Sequence, residues 1–118
     1  MTTFKIFNNE PDVRAFAAGE SIFQEEQPAD GIMYAVIEGE VEIRRQNKTL
    51  AVISVGGVFG EMALIDKKPR SANAIAKTDC RVAAINEKRF SALVMQNPYF
   101  ALDLMKTLAE RVRNSLES

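Results

Sequence analysis

Histidine and tryptophan are absent from this 118-residue chain, and cysteine occurs once. Without an imidazole there is no His general acid or base and no Ser–His or Cys–His nucleophile pair. A lone Cys80 cannot close an intrachain disulfide or build a zinc site. It sits in the apolar run Cys80-Arg81-Val82-Ala83-Ala84-Ile85 and reads as a buried small side chain, not a reactive thiol. Excess charge of one sign is also missing: 15 basic and 16 acidic residues leave a net charge of −1. That gives no electrostatic case for nucleic acid or an anionic membrane as a partner. The basic pairs Arg44-Arg45, Lys67-Lys68 and Lys88-Arg89 fall in separate elements and read as solvated faces. No apolar stretch approaches transmembrane length. The start, MTTFKIFNNEP, lacks a basic segment followed by an apolar run, so no leader and a cytoplasmic location are expected. No catalytic residues, metal ligands or cofactor are expected, and the chain does not read as an enzyme.

What is present is ordinary for one globular domain: 47% hydrophobic and 26% charged residues. Thr2 to Asn8 reads as a short helical arm docking Phe4, Ile6 and Phe7 on the core, ended by Pro11. Short strands follow at Asp12–Ala18 and Ser21–Gln24, then a polar loop, Glu25 to Gly31. Ile32–Ile37 is apolar throughout, as a fully buried strand is. Glu38-Gly39-Glu40 reads as a hairpin turn into Val41-Glu42-Ile43-Arg44, whose alternation puts Val41 and Ile43 on one face. Leu50, Val52 and Val55 mark the next strand; Ala72–Lys77 and Arg81–Ile85 mark two more, joined at Thr78-Asp79. Many short strands spaced by turn signals indicate an all-β sandwich or barrel.

The period then changes. Asn86 is a good N-cap, with Glu87 in the first turn and Phe90, Leu93 and Val94 on one face. Asn97-Pro98 starts a final helix. Its apolar residues form two stripes: Leu102, Met105, Ala109, Val112 and Leu116, and beside them Ala101, Leu104 and Leu108. Either one stripe covers the β-structure and the other receives a second copy of the helix, or both pack within one subunit.

The chemistry concentrates in residues 56–74, GGVFGEMALIDKKPRSANA. A glycine pair precedes Phe59-Gly60-Glu61-Met62-Ala63-Leu64-Ile65, a turn into a very short helix that Asp66-Lys67-Lys68-Pro69 breaks. No Gly-Lys-Ser/Thr follows the glycines, which excludes a nucleotide-hydrolysing P-loop. A helix start offers free N–H groups to an anion. Arg70 adds a planar fork of donors that matches phosphate, and Glu61 a carboxylate that accepts from hydroxyls. Together these are the needs of a sugar phosphate. The plainer readings are a dipole-favoured acid at Glu61, and at Arg70 a surface residue or a structural partner of Glu61.

Nine residues here, Phe59, Gly60, Glu61, Ala63, Leu64, Pro69, Arg70, Ser71 and Ala72, match the phosphate-binding cassette F-G-E-x-A-L…P-R-[S/T/A]-A. The chain thereby resembles the cyclic nucleotide-binding domain family, of catabolite-activator and protein kinase A regulatory-subunit type. Phe16 to Ile22, Met33 to Val36 and Glu38 to Val41 extend the resemblance over nearly the whole chain. It implies a mainly β fold with flanking helices: an eight-stranded antiparallel β-roll, jelly-roll-like, over 11–86, between an arm at 1–10 and two C-terminal helices over 87–118. One departure stands out. Where the family carries Gly and an acid after the second strand, this chain has Glu26 and Gln27, and Glu26 would be strained at positive φ.

The resemblance also implies roles. Glu61 accepts from the ribose 2′-hydroxyl and Arg70 contacts the exocyclic phosphate oxygens. The amides of Met62 and Ala63 complete the cradle, Gly60 lets the ribose sit close, and Ser71 and Ala72 finish the motif. Ser71 leans toward cAMP over cGMP, or is an ordinary strand-edge serine. Ile43, Leu50 and Ile53 wall the base pocket or simply fill core. A C-terminal helix lids the base, with Arg111, Asn114 and Ser115 near the expected reach. The expected function is a non-catalytic cyclic nucleotide sensor signalling through its C-terminal helices, with cyclic nucleotide as ligand and no cofactor. A homodimer through the last helix and an unknown protein output partner are expected. No helix-turn-helix follows the final helix, so the output is expected through a partner, or the module is the sensor fragment of a larger transcription regulator. The rival reading is a β-roll interaction scaffold that no longer binds nucleotide.

Overall fold

A computed structural model of the chain describes residues 5–117, with side chains described from 6 to 114. Among these, eight antiparallel strands form two four-stranded sheets: β1 (Val13–Phe16), β8 (Cys80–Ile85), β3 (Met33–Glu38) and β6 (Val58–Phe59) in one. The other holds β2 (Ser21–Phe23), β7 (Asn73–Ala76), β4 (Val41–Arg45) and β5 (Lys48–Ile53). Helix α1 (Met62–Ile65) interrupts the strands, and α2 (Glu87–Gln96) and α3 (Pro98–Glu117) follow them. This is the expected β-roll.

The central strands of the first sheet are buried on both faces, which explains the near-continuous apolar runs of β3, β6 and β8. Tyr34 and Val36 of β3, Phe59 of β6 and Cys80, Val82 and Ala84 of β8 point into the roll. Their neighbours Met33, Ala35, Val58, Ala83 and Ile85 point the other way, onto Leu93 of α2, Phe100 and Leu104 of α3 and Phe7 of the N-terminal arm. Phe7 meets Phe100 edge-on at 5.6 Å. Of the expected arm, Lys5–Phe7 is a single 3-10 turn, and Phe4 lies outside the described residues. The second sheet covers the roll with one face only, so Leu50 and Val52 of β5 open to solvent.

One junction differs from the sequence reading: Glu38-Gly39-Glu40 is not a hairpin, since β3 and β4 lie in different sheets. Thr78-Asp79 joins β7 to β8 as expected, and these two also lie in different sheets. Each junction is a corner of the roll, and the two corners pack together. The Glu40 carbonyl accepts from the Lys77 amide at 3.0 Å, and the Glu40 amide donates to Thr78 Oγ1 at 3.1 Å. Gly39 has φ +83°, and a Cβ there would lie 2.3 Å from the Asp79 carbonyl oxygen. Alternation cannot distinguish a corner from a hairpin, since both need a turn between two strands. β5 also ends at Ile53, leaving Val55 outside it and half exposed.

The helices follow their signals. Asn86 Oδ1 accepts from the Arg89 amide at 2.8 Å, capping α2. Lys88-Arg89 is not simply a solvated pair: Arg89 grips the buried Glu10 carboxylate through Nε and Nη2, at 2.8 and 2.7 Å. The guanidinium, held charged by that bond, pins the arm to α2. On α3, Leu104 is buried and Leu108 packs on the core, while Leu102, Met105 and Val112 are 45, 63 and 60% exposed. Both stripes therefore do not pack within one subunit; the Leu116 side chain lies outside the described residues.

Gly39→Ala is expected to destabilise the domain by about 2–4 kcal/mol in urea unfolding, since it adds positive-φ strain to a clash with backbone. A change below about 0.5 kcal/mol would contradict the packed-corner account.

Candidate functional site

The cassette grows from β6. Phe59 pairs with Tyr34 across the sheet, and their rings stack at 5.4 Å. Phe23 from β2 completes an aromatic floor, 6.0 Å from Tyr34 and 6.1 Å from Phe59. Gly60 then turns the chain at φ +71°, and α1 begins.

Arg70 returns to this floor from the far side of α1. Its guanidinium carbon lies 4.1 Å from the Phe23 ring centroid and 5.8 Å from that of Tyr34. The side chain is 5% exposed. Nη1 donates to the Gly60 carbonyl at 3.1 Å, and Nη2 to Asp30 Oδ1 at 2.8 Å and the Ile32 carbonyl at 2.9 Å. Three of about five N–H donors are thus engaged, and two have no partner among the described residues. A Cβ on Gly60 would sit 2.8 Å from Arg70 Nη1, so the glycine gives the arginine room to reach the cassette backbone.

Glu61 is 12% exposed and makes no capping bond to α1. Its Oε1 accepts from Arg111 Nη1 at 2.8 Å, and Arg111 Nη2 reaches the Val58 carbonyl at 2.7 Å. The reading of Arg70 as partner of Glu61 is therefore corrected: Arg70 pairs with Asp30, and Glu61 with Arg111. The last helix is latched to the cassette through the residue the sequence placed near the base lid.

The other candidates divide. Ala63 and Ala72 are buried, while Met62 is 52% exposed. The Ala63 amide is engaged with the Gly60 carbonyl at 3.2 Å, a correction to its expected role as a free donor. Ser71 is exposed, and its carbonyl accepts from Arg45 Nε at 2.9 Å. Ile53 is buried in the inner core and Ile43 packs against it, whereas Leu50 is 44% exposed and adds nothing to the interior. The Ser115 side chain lies outside the described residues.

Sequence reasoning missed Asp30 and the aromatic floor. Asp30 belongs to a polar loop where an acid carries no local signal. That loop is tied to Arg70: the Glu26 amide donates to the Arg70 carbonyl at 2.8 Å, and the Arg70 amide to the Gln27 carbonyl at 2.9 Å. Glu26 does adopt φ +72°, the strained conformation feared from sequence. Tyr34 receives a hydrogen bond from Arg14 at 3.3 Å, and burial pushes its hydroxyl up, so it stays protonated near neutrality.

Among the described residues no group of His, Cys, Asp and Glu is placed to hold a metal ion, and no helix is long and apolar enough to cross a membrane. A depression of about 320 Å³ near Pro11, Asn86 and Arg89 is lined by no cassette residue, and its arginine is committed to Glu10.

Residues 13–97 match the family model described as "Cyclic nucleotide-binding domain". The chain belongs to the cyclic nucleotide-binding domain family. It is 34% identical over 107 residues to the cyclic AMP receptor protein of Thermus thermophilus, covering 86% of this chain and 49% of that protein. The crystal structure of Thermus thermophilus catabolite activator protein superposes with TM-score 0.77 at 32% identity, over 88% of this chain and 51% of that one. A chain described as "A cyclic-GMP-dependent signalling pathway regulates bacterial phytopathogenesis" gives TM-score 0.72 at 26% identity, over 86% and 84%. The chain spans about half the length of the curated Thermus relative it matches.

Within this cyclic nucleotide-binding domain, a double-mutant cycle of Glu61→Gln and Arg111→Met is expected to give a coupling of about 1 kcal/mol, modest because Arg111 is partly open to solvent. Additive effects in thermal unfolding would show that α3 is not latched through this pair.

Proposed function

We propose that this domain is a non-catalytic cyclic nucleotide sensor whose C-terminal helices carry the signal. The observation that best supports it is the buried Arg70, with two donors uncommitted, bonded to the residue next to a Glu61 carboxylate. In this reading Arg70 takes the exocyclic oxygens of the cyclic phosphate and Glu61 accepts from the ribose 2′-hydroxyl. Gly60, Met62, Ser71 and Ala72 supply the backbone around them. About three or four hydrogen bonds to charged groups, each worth about 1.5–3 kcal/mol, less the cost of ordering, are compatible with micromolar binding near about −8 kcal/mol.

A hydroxyl arriving at Glu61 competes with Arg111 for the same carboxylate. Ligand binding then shifts the balance of the latch and hence the position of α3, provided the ligand prefers one arrangement. Ser71 favours cAMP over cGMP. The Thermus relative's name carries cyclic AMP and one structural neighbour's description cyclic GMP. The output passes to a protein partner, and a second copy of the chain packs on the exposed α3 stripe. The setting is cytoplasmic.

Calorimetric titration with cAMP and cGMP is expected to give micromolar binding with cAMP the tighter, and Arg70→Ala to abolish it while circular dichroism stays native. The fold survives because the freed Asp30 side chain is 47% exposed and can rehydrate. Wild-type affinity in that variant would overturn the site. Sizing is expected to show a dimer that Met105→Glu converts to monomer; a monomeric wild type would remove the second copy.

A further inference from the structure

We propose that Asp30 is a charge filter: it neutralises Arg70 so that the cassette accepts a singly charged cyclic phosphodiester and rejects a doubly charged linear phosphomonoester. This rests on the reading of the cassette as a phosphate site. The carboxylate is fixed in place. Its Oδ1 accepts from Arg70 Nη2 at 2.8 Å and from the Ile32 amide at 3.1 Å. Gly31 turns the chain directly after it at φ +71°, and the bonds between Arg70 and residues 26 and 27 hold the other end of the loop. An anion on the free Arg70 donors therefore binds beside Asp30.

The paired charges at the site cancel: Arg70 with Asp30, and Arg111 with Glu61. Arg14, near Tyr34, is paired with Asp12, and Arg45 on the Ser71 carbonyl is exposed to solvent and screened. Lys67 and Lys68 of the cassette loop are exposed and screened in the same way, so little net positive charge remains for a second negative one. A cyclic diester carries one negative charge, whereas a phosphomonoester, with its second pKa near about 6, carries about 1.5–2 at pH 7. Coulomb repulsion scales with the product of charges, so Asp30 opposes the monoester up to about twice as strongly. With the Phe23 ring 4.1 Å from its carbon and the Gly60 and Ile32 carbonyls still bonded, the guanidinium keeps the partners that aim its fork when the carboxylate's charge is lost.

Titration of wild type, Asp30→Asn and Asp30→Ser with cAMP and 5′-AMP tests this. Both variants are expected to bind cAMP about three- to tenfold tighter and 5′-AMP by a larger factor, narrowing selectivity at least about threefold. Weaker binding of both ligands by a folded variant, or equal tightening of both, would overturn it. If wild type binds neither nucleotide, the phosphate-site reading itself fails and takes the filter with it. Should both variants unfold, wild type decides: the cAMP to 5′-AMP ratio must narrow between about 50 and 500 mM salt as the repulsion is screened. An unchanged ratio overturns the proposal.

Discussion

A guanidinium at 5% exposure is costly unless its charge and its N–H groups are met, and the site is arranged around meeting those of Arg70. The aromatic floor takes its face, two carbonyls take its edges, and Asp30 takes its charge. Each contributor comes from a different part of the chain: Phe23 from β2, Asp30 and Ile32 from the loop before and into β3, Gly60 from the end of β6. The arginine thereby sits where three strands and a loop meet, and the meeting point is the cassette. Strain at Glu26 is tolerated because the loop's backbone bonds to Arg70 hold it there.

The doubly buried sheet connects this point to the helices. Alternate residues of β3, β6 and β8 touch the roll interior and the helical layer, so a close-packed layer separates Phe59 from Leu104 by the thickness of one sheet. A second route bypasses the core. Arg111 ties α3 to Glu61 and to the Val58 carbonyl, putting helix position and cassette geometry under one pair of hydrogen bonds. Glu10 and Arg89 tie the arm to α2, away from the cassette. A movement at the cassette therefore has a bonded contact to α3 and a packed layer through which to reach α2.

The cassette was legible because its chemistry is local. Phe59 to Leu64 needs only a turn and one helical turn, and Pro69-Arg70 starts the return, so residue order carries most of the geometry. The strands were legible from alternation and the helices from Asn86, whose side chain caps α2, and from Pro98, which opens α3, although the Asn97 side chain donates back to the Leu93 carbonyl at 3.3 Å instead of capping α3. The corners at Gly39 and Thr78-Asp79 were not. A turn between two strands looks the same whether the strands pair or part, and only the opposing corner's backbone shows which. The two α3 stripes posed the same problem, since periodicity gives their angle but not what covers them.

The order of residues determined that a helix tip, a carboxylate and a guanidinium lie close together, because each is placed by short-range backbone preferences. It did not determine what those groups bond. Asp30 is forty residues from Arg70 and Arg111 fifty from Glu61. Ion pairs over such separations exist only once the sheets have closed, because neither partner constrains the chain near the other. The tertiary structure alone decided which charges are neutralised within the domain and which donors remain for a ligand.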